Sequence, residues 1–224
     1  MIENETPTLA EVINDMIEAK ILDIHTSMPG KVETYDHTQQ KADIKPLLRK
    51  KYTVNGGTIV EIPVIPGVPV QWPAANNGAA YIHMPLKSGD LGLIIFTDRS
   101  IDAWLSREQH PQEDAGKIMS PNDPRHHDLS DAIFIPGIRP FNWALENTNA
   151  DNFILQNGSI RIELDPSGKI SITGASNELL SVLKDTIDHL VSAKVFTGLG
   201  ALPFTEATIT NLTLDKTNLE TLII

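Results

Sequence analysis

The sequence contains no cysteine, few aromatic residues and no long apolar run. Without cysteine its 224 residues form no disulfide, thiolate zinc site or iron–sulfur cluster, so only His, Asp and Glu remain as metal ligands. The longest apolar runs, such as 91–96, are far shorter than the roughly 20 residues of a membrane-spanning helix. The N-terminus also lacks the basic and apolar regions of a secretory signal, so we expect a protein made in soluble form without Sec export.

Positive charge is also scarce, with 18 Lys and Arg against 29 Asp and Glu and a net charge of −11. Nucleic-acid binding depends on many contacts between cations and phosphates, so we do not expect nucleic acid as the main ligand. One local basic patch exists, formed by Lys45, Arg49, Lys50 and Lys51 beside Tyr52. It is interpreted as a solvated face or a contact for an acidic partner, and a single-stranded nucleic-acid face is the less favoured alternative.

The motifs of common enzyme classes are absent: there is no phosphate-binding loop, dinucleotide fingerprint, nucleophile elbow or His-Glu-x-x-His. We therefore predict no enzymatic activity, no catalytic residue and no cofactor. The densest polar cluster, 125–131, includes His126 and His127, whose side chains point to opposite faces of an extended chain and cannot share one ion. The cluster is interpreted as hydrogen bonding at the end of a barrel, and a surface network is expected of Asp98, Arg99, Asp102 and Asp131.

Residues 1–20 are predicted to form a polar lead and one amphipathic helix. Thr8 and Glu11 have the spacing of a capping box, which marks a helix start. Apolar residues then recur at helical intervals on one face, and these residues are Leu9, Val12, Ile13, Met16 and Ile17. This face packs either on the helix's own domain or on a neighbouring subunit or partner protein.

Residues 21–146 contain short apolar or alternating runs separated by most of the 15 prolines and by glycines. This pattern predicts a small all-β sandwich or barrel, and a closed or nearly closed barrel with long loops fits best. Residues 107–128 lack any periodicity and are interpreted as a surface excursion between the last two barrel strands.

Residues 147–175 repeat a glycine turn followed by an alternating strand, at 157–162 and again at 167–172. Because a lone two-stranded hairpin is marginal in water, its apolar face must be covered. Two interpretations remain: the segment lies on the barrel, or copies of it from other chains wrap around each other, and the narrow ribbon favours the second.

Residues 176–224 are predicted to be mainly helical. Leu180, Leu183, Ile187, Leu190 and the stem of Lys194 are spaced like a coiled-coil seam of about two heptads. The same spacing continues in the last segment, at Ile209, Leu212, Lys216, Leu219 and Ile223. The threonines of that segment favour a strand over 208–214 as the alternative.

Four blocks, in order, strongly resemble the central baseplate spike proteins of contractile-tailed bacteriophages. The blocks are 23–36 with its Ser-Met-Pro-Gly, 65–73 with Ile-Pro-Gly-Val-Pro-Val-Gln-Trp-Pro, 85–104 with Ser-Gly-Asp-Leu-Gly and 127–137 with Ser-Asp-Ala-Ile-Phe-Ile-Pro-Gly. The resemblance implies an OB-fold barrel, a homotrimer and a C-terminal intertwined β-helix or β-prism that pierces the host envelope when the sheath contracts. The trimer core would then be formed by Ile160, Ile162, Leu164, Ile170, Ile172, Leu180, Leu183, Ile187 and Leu190.

One feature of that family is missing, since some members end in a His-x-His pair that binds an iron ion at the tip. This chain has no such pair, and its last histidine, His189, lies on the predicted seam helix and beside the seam. We therefore predict no metal site. A separate tip-capping protein is a candidate partner, and a blunt helical end is the alternative.

The expected fold is mainly β, with an N-terminal helix (1–20), an OB-fold-like β-barrel (21–146), a short intertwined trimeric β-prism or β-helix (147–175) and C-terminal helices (176–224). The expected function is that of a virion structural protein made in the host cytoplasm. It would be the central spike of the tail baseplate, with a baseplate hub protein as partner, the 9–20 helix as docking element and transient contact with the host envelope. The alternative is an OB-fold module that binds saccharide or nucleic acid and carries an oligomerising tail.

Overall fold

The computed structural model describes residues 7–51, 59–106, 120–121, 123–197 and 200–220. They divide into two compact units, one within Met1–Ala144 and the other within Leu145–Ile224. The architecture is mostly β, with a curled five-stranded antiparallel half-barrel and some helices. No helix among these residues is long and apolar enough to cross a membrane.

The first unit starts with a helix and continues as strands. Its elements are α1 (Leu9–Leu22), β1 (Ser27–Asp36), β2 (Lys41–Pro46), β3 (Arg49–Lys51), β4 (Ile59–Glu61), β5 (Ile65–Pro69), β6 (Ala74–Ala75), β7 (Ala80–Tyr81), β8 (Leu91–Phe96), α2 (Asp102–Ser106) and β9 (Ala132–Pro136). The predicted capping box is present, because Thr8 Oγ1 accepts the Glu11 N–H while the Glu11 carboxylate accepts the Thr8 N–H. The helix therefore begins where the sequence predicts.

The main sheet has the strand order β5-β2-β1-β8-β9, with every neighbouring pair antiparallel. Its two edge strands approach each other, since Val70, just after β5, forms a parallel bridge with Phe134 of β9. There the Gln71 N–H donates to the Phe134 carbonyl oxygen at 2.9 Å. The sheet therefore curls until its edges meet at one point.

The inside of the half-barrel holds the hydrophobic core. Burial alternates along β2 and β8, as expected for strands with one face inward. Three fully buried side chains are Phe134, Ile44 and Ile94. The other members of the core are Val32, Ala42, Ile65, Val68, Val70, Trp72, Phe96 and Ala132.

Two glycines lie opposite each other where β1 and β8 cross this core, Gly30 and Gly92. A Cβ atom on Gly30 would lie 2.7 Å from both Ile44 Cγ2 and Ile94 Cδ1. A Cβ on Gly92 would lie 2.5 Å from the Ile135 carbonyl oxygen and would overlap the Phe134 ring. Only glycine lets these strands pass so close to the core side chains.

We expect Gly92→Ala to lower the free energy of unfolding by about 1–3 kcal/mol, because the methyl group overpacks a core bounded by backbone. Urea unfolding monitored by circular dichroism measures this. Gly174→Ala is the matched control, since the nearest atom to its Cβ would be 3.9 Å away. Equal stability of the two variants would contradict the packing argument.

The second unit contains β10 (Phe153–Asn157), β11 (Ile160–Leu164), β12 (Ile170–Thr173), α3 (Leu179–Ser192), β13 (Lys194–Thr197), β14 (Gly200–Pro203) and α4 (Glu206–Glu220). The first three strands form an antiparallel sheet in the order β10-β11-β12. A β13–β14 hairpin connects α3 to α4, and the two helices pack on each other. The last apolar segment is thus helical, and the alternative strand over 208–214 is wrong.

Candidate interaction surfaces

The three-stranded sheet of the second unit has one apolar face. Residues directly opposite in an antiparallel ladder lie on the same face, and the register forms three rows of such residues. The rows are Phe153–Leu164–Ile170, Leu155–Ile162–Ile172 and Asn157–Ile160. The five predicted strand residues of the trimer core, Ile160, Ile162, Leu164, Ile170 and Ile172, therefore share one face, on which Asn157 is the single polar residue.

This apolar face is incompletely covered by its own chain. Ile160 is 61% exposed and Phe153 58%, Leu155 and Leu164 are exposed as well, and the other apolar members are half-buried. Among the residues of the second unit whose burial is described, none is buried. A unit without a buried residue lacks a core of its own, and its apolar face is a surface that another molecule can cover.

The opposite face of the sheet is mainly polar, with Ile154 as the one apolar residue in its rows, and hydrogen bonds satisfy its charged groups. Arg161 Nε donates to Glu163 Oε2 at 2.9 Å, and Asn152 donates to the other oxygen of the same carboxylate at 2.8 Å. Arg161 also donates to the Asn147 carbonyl oxygen and to Gln156. These contacts hold the pKa of Glu163 below its usual value, chiefly through the hydrogen bond from Arg161. The sheet is therefore amphipathic, and this face is the one suited to water.

Two residues of the apolar face, Phe153 and Leu155, were not among the predicted core residues. They lie on β10, which precedes the two predicted strand repeats. A partial signal was present, because the apolar run Phe153-Ile154-Leu155 leads into the Asn157-Gly158 turn, although it does not alternate with polar residues. The sheet therefore has three strands per chain, where the repeats alone indicated two.

The predicted seam of α3 is divided in the structure. Leu180 and Ile187 are half-buried, whereas Leu183 and Leu190 are 45% and 43% exposed. On α4 the partly buried positions are four of those that the spacing indicated, namely Ile209, Leu212, Lys216 and Leu219, and the fifth, Ile223, lies outside the described residues. α3 thus keeps an exposed apolar stripe that α4 does not cover.

A charged pair joins the two helices. Lys216 Nζ donates to Asp188 Oδ1 at 2.7 Å, and Lys184 lies 3.7 Å from Glu220. The hydrogen bond to Asp188 raises the pKa of Lys216. The two pairs lie one helical turn apart, and the later residue of α3 pairs with the earlier residue of α4, as expected for antiparallel helices.

The predicted docking helix α1 presents its apolar stripe to solvent. No residue of α1 is buried, and the five predicted docking residues are all exposed, namely Leu9, Val12, Ile13, Met16 and Ile17. An open groove of about 610 Å³ runs along the second half of the helix, lined mainly by Ile13, Met16, Ile17, Ile21 and Ile24. A helix of this length is marginal in water by itself, so the stripe is a second surface suited to a partner.

The predicted basic patch is largely neutralised within the chain. Arg49 pairs with Glu61 at 2.8 Å, and Lys45 lies 3.7 Å from the same carboxylate. Lys50 lies 3.8 Å from Asp23. Cations that are already paired offer little attraction for phosphate groups, which weakens the interpretation as a nucleic-acid face.

An arginine–aspartate pair lies directly before the start of β9. Arg125 donates to both oxygens of Asp131, from Nε at 2.7 Å and from Nη2 at 2.8 Å. Asp131 also accepts the Ile101 N–H at 3.2 Å, and Arg125 reaches Asp102 at 2.5 Å. Asp131 is 0% exposed, so its expected place in a surface network is wrong. The cluster connects α2, the segment before β9 and the start of β9.

His25 is a buried histidine at the junction between α1 and β1. Its Nδ1 donates to the His127 carbonyl oxygen at 3.1 Å, and its ring lies 5.3 Å from that of Phe96. Burial lowers the pKa of His25, and the nearby Lys50 lowers it further. His25 is therefore neutral in the folded protein at neutral pH.

A pH dependence of stability follows from this shift. The unfolded chain binds a proton at His25 near pH 6.5, whereas the folded chain binds it only at lower pH. The contribution of neutral His25 to the free energy of unfolding is therefore complete above about pH 6.5 and is lost as the pH falls. We expect His25→Asn to flatten the stability profile between about pH 7 and pH 5, because asparagine keeps a donor and does not titrate. Urea unfolding across this range measures it, and an unchanged profile would contradict the assignment.

No group of three or more His, Asp or Glu residues in the described part of the chain is placed to hold a metal ion. His127 lies 3.4 Å from Asp98, while His126 contacts Arg99. In this part of the chain the polar cluster therefore consists of hydrogen bonds and ion pairs.

Comparison with known proteins connects the half-barrel to bacteriophages. No curated protein matches the chain. Residues 28–137 match the family described as phage protein Gp138 N-terminal domain. The matched segment runs from β1 to the end of β9 and contains the core described above. This match over residues 28–137 supports the predicted relation to a phage structural protein family.

Proposed function

We propose that this protein is the trimeric central spike at the baseplate of a contractile phage tail. It plugs the baseplate hub and helps to puncture the host cell envelope when the sheath contracts. The observation that carries the proposal is the one-sided apolar sheet β10–β12 in a unit without buried residues. The match to a phage protein domain supplies the biological setting.

Threefold association explains the sheet. Three copies around one axis turn three apolar faces toward each other and three polar faces toward water, which forms a β-prism with closed symmetry. Burial of each large aliphatic side chain contributes roughly 1.5–3 kcal/mol, so the rows of Ile, Leu and Phe supply a core that a single chain lacks. The outer edge of β10 would also become available for pairing between chains, whereas the outer edge of β12 is partly occupied by Glu178, which bridges Thr173 and accepts the Ile172 N–H.

We infer that the half-barrel is an OB fold. The first three strands of the main sheet in chain order, β1, β2 and β5, form a meander, and β8 and β9 follow on the other side of β1. The closing bridge between Val70, just after β5, and Phe134 of β9 is parallel. A five-stranded, partly open barrel of this kind is typical of the OB fold. In the spike it would serve as the collar that connects the rigid prism to the hub.

The proposed task is mechanical. The sheath supplies the free energy, and the protein transmits force through a rigid prism, so no turnover chemistry and no cofactor are required. The partners would be two further copies of the chain and the hub protein, which receives α1. The helical end formed by α3 and α4 would contact the envelope directly or carry a separate tip-capping protein.

Two measurements test this proposal. Light scattering of the purified chain should report three times 24.6 kDa. Gold-labelled antibodies against the half-barrel should bind at the baseplate end of isolated tails in electron micrographs. A monomer at micromolar concentration would contradict the prism and favour a binding module, and label along the tube or on the head would contradict the baseplate position.

A further inference from the structure

The apolar stripe of α1 contains one cation. Lys20 lies three and four residues after Ile17 and Met16, so the three side chains are neighbours on the helix surface. Lys20 also lines the groove with Ile13, Ile21 and Ile24. The ammonium group therefore belongs to the face that a partner would cover.

The described part of the chain gives Lys20 no carboxylate partner. Asp23, three residues after Lys20, is the one carboxylate that lines the same groove, and it lies 3.8 Å from Lys50 Nζ. The acidic residues of α1 lie on its other side, because Glu11, Asp15 and Glu18 follow each other at intervals of four and three and share the face opposite the stripe. Covering the stripe would consequently bury an unpaired cation unless the partner supplies the opposite charge.

Resting on the proposed function, we propose that α1 docks in an aliphatic groove of a different virion protein, and that this groove presents a carboxylate to Lys20. Charge complementarity distinguishes this occupant from a second copy of the chain. Three α1 helices packed by their stripes would bring three Lys20 ammonium groups together, and the only carboxylate of the groove, Asp23, already lies beside Lys50, so the cations would be in excess. An anionic membrane is disfavoured as well, because the face that would lie toward the headgroups is acidic.

Charge reversal in the phage tests the proposal. A phage carrying Lys20→Glu should lose roughly 30-fold or more in infectious yield, because like charges then face each other in a desolvated contact. Revertants selected from it should carry an Asp or Glu replaced by Lys or Arg in another virion protein. Glu18→Lys is the control, since it alters charge on the opposite face and should leave the yield unchanged.

Wild-type yield of the Lys20→Glu phage would overturn the proposal. Suppressors that all fall within α1 of this chain would also overturn it and would indicate contact between copies. The solution mass of the purified Lys20→Glu protein distinguishes a failure of docking from a failure of the proposed trimer. A trimer shows that the spike assembles and only docking is altered, whereas a monomeric wild-type protein refutes the trimer irrespective of Lys20.

Discussion

Replacing Ile162 with aspartate is expected to reduce the solution mass from three times 24.6 kDa to that of a single chain. Ile162 lies in the middle row of the apolar face, between Leu155 and Ile172. In the proposed prism the substitution would place three carboxylates near one axis without partners, and each uncompensated buried charge costs several kcal/mol. Light scattering at micromolar concentration measures the mass.

Gln156→Asp is the matched control for this substitution. It introduces the same carboxylate one position further along the ladder but on the polar face. There the carboxylate is exposed to water and lies opposite the Arg161 guanidinium. The control should remain trimeric. The half-barrel has its own core, so near-ultraviolet circular dichroism from buried Trp72 should stay unchanged in both variants. A folded trimer of Ile162→Asp would show that this face does not form the axis.

The second large effect is expected at Arg125. Arg125→Met should lower the free energy of unfolding by about 3–5 kcal/mol, because it leaves the fully buried Asp131 carboxylate without its cation. In the wild-type protein, hydrogen bonds from Arg125 lower the pKa of Asp131. Without them burial raises that pKa, so the difference from wild type should narrow as pH falls toward about 4. Urea unfolding at several pH values measures both effects.

Two controls distinguish the effect of breaking the buried Arg125–Asp131 pair from the effect of removing any positive charge. Arg99→Met removes a pair with Asp98 whose side chains are 55% and 68% exposed, and it should cost less than about 1 kcal/mol. The double variant Arg125→Met with Asp131→Leu should recover most of the loss, since both buried charges are then gone. A double variant as unstable as the single one would contradict the explanation by an unpaired charge.

The features of the fold that depend on neighbouring residues could be predicted from the sequence. The capping box of Thr8 and Glu11 marks the start of α1, and the turn at Gly158 separates alternating strands. Period-two alternation assigns Ile160, Ile162 and Leu164 to one face wherever β11 pairs. These features follow from hydrogen bonds and side-chain spacing within a few residues, so the expectation of a mostly β chain with helices at both ends is confirmed.

The extent of the candidate surfaces was harder to predict. Phe153 and Leu155 belong to the apolar face only because β10 pairs with β11, and the two repeats gave no reason to add this strand. The division of α3 into half-buried Ile187 and exposed Leu183 arises because α4 packs on one side. Heptad spacing identifies apolar residues but does not state which neighbour covers them.

Local periodicity could be predicted from the sequence alone, and it predicts where helices begin, where strands alternate and which residues share a face. The three-dimensional structure was needed to show that Val70 bridges Phe134 at the closing edge, that Arg125 pairs with the buried Asp131, and that Ile160 is 61% exposed among the described residues. The reason is physical, because burial and charge pairing depend on which distant segments meet. That choice is made by the free energy of the whole fold.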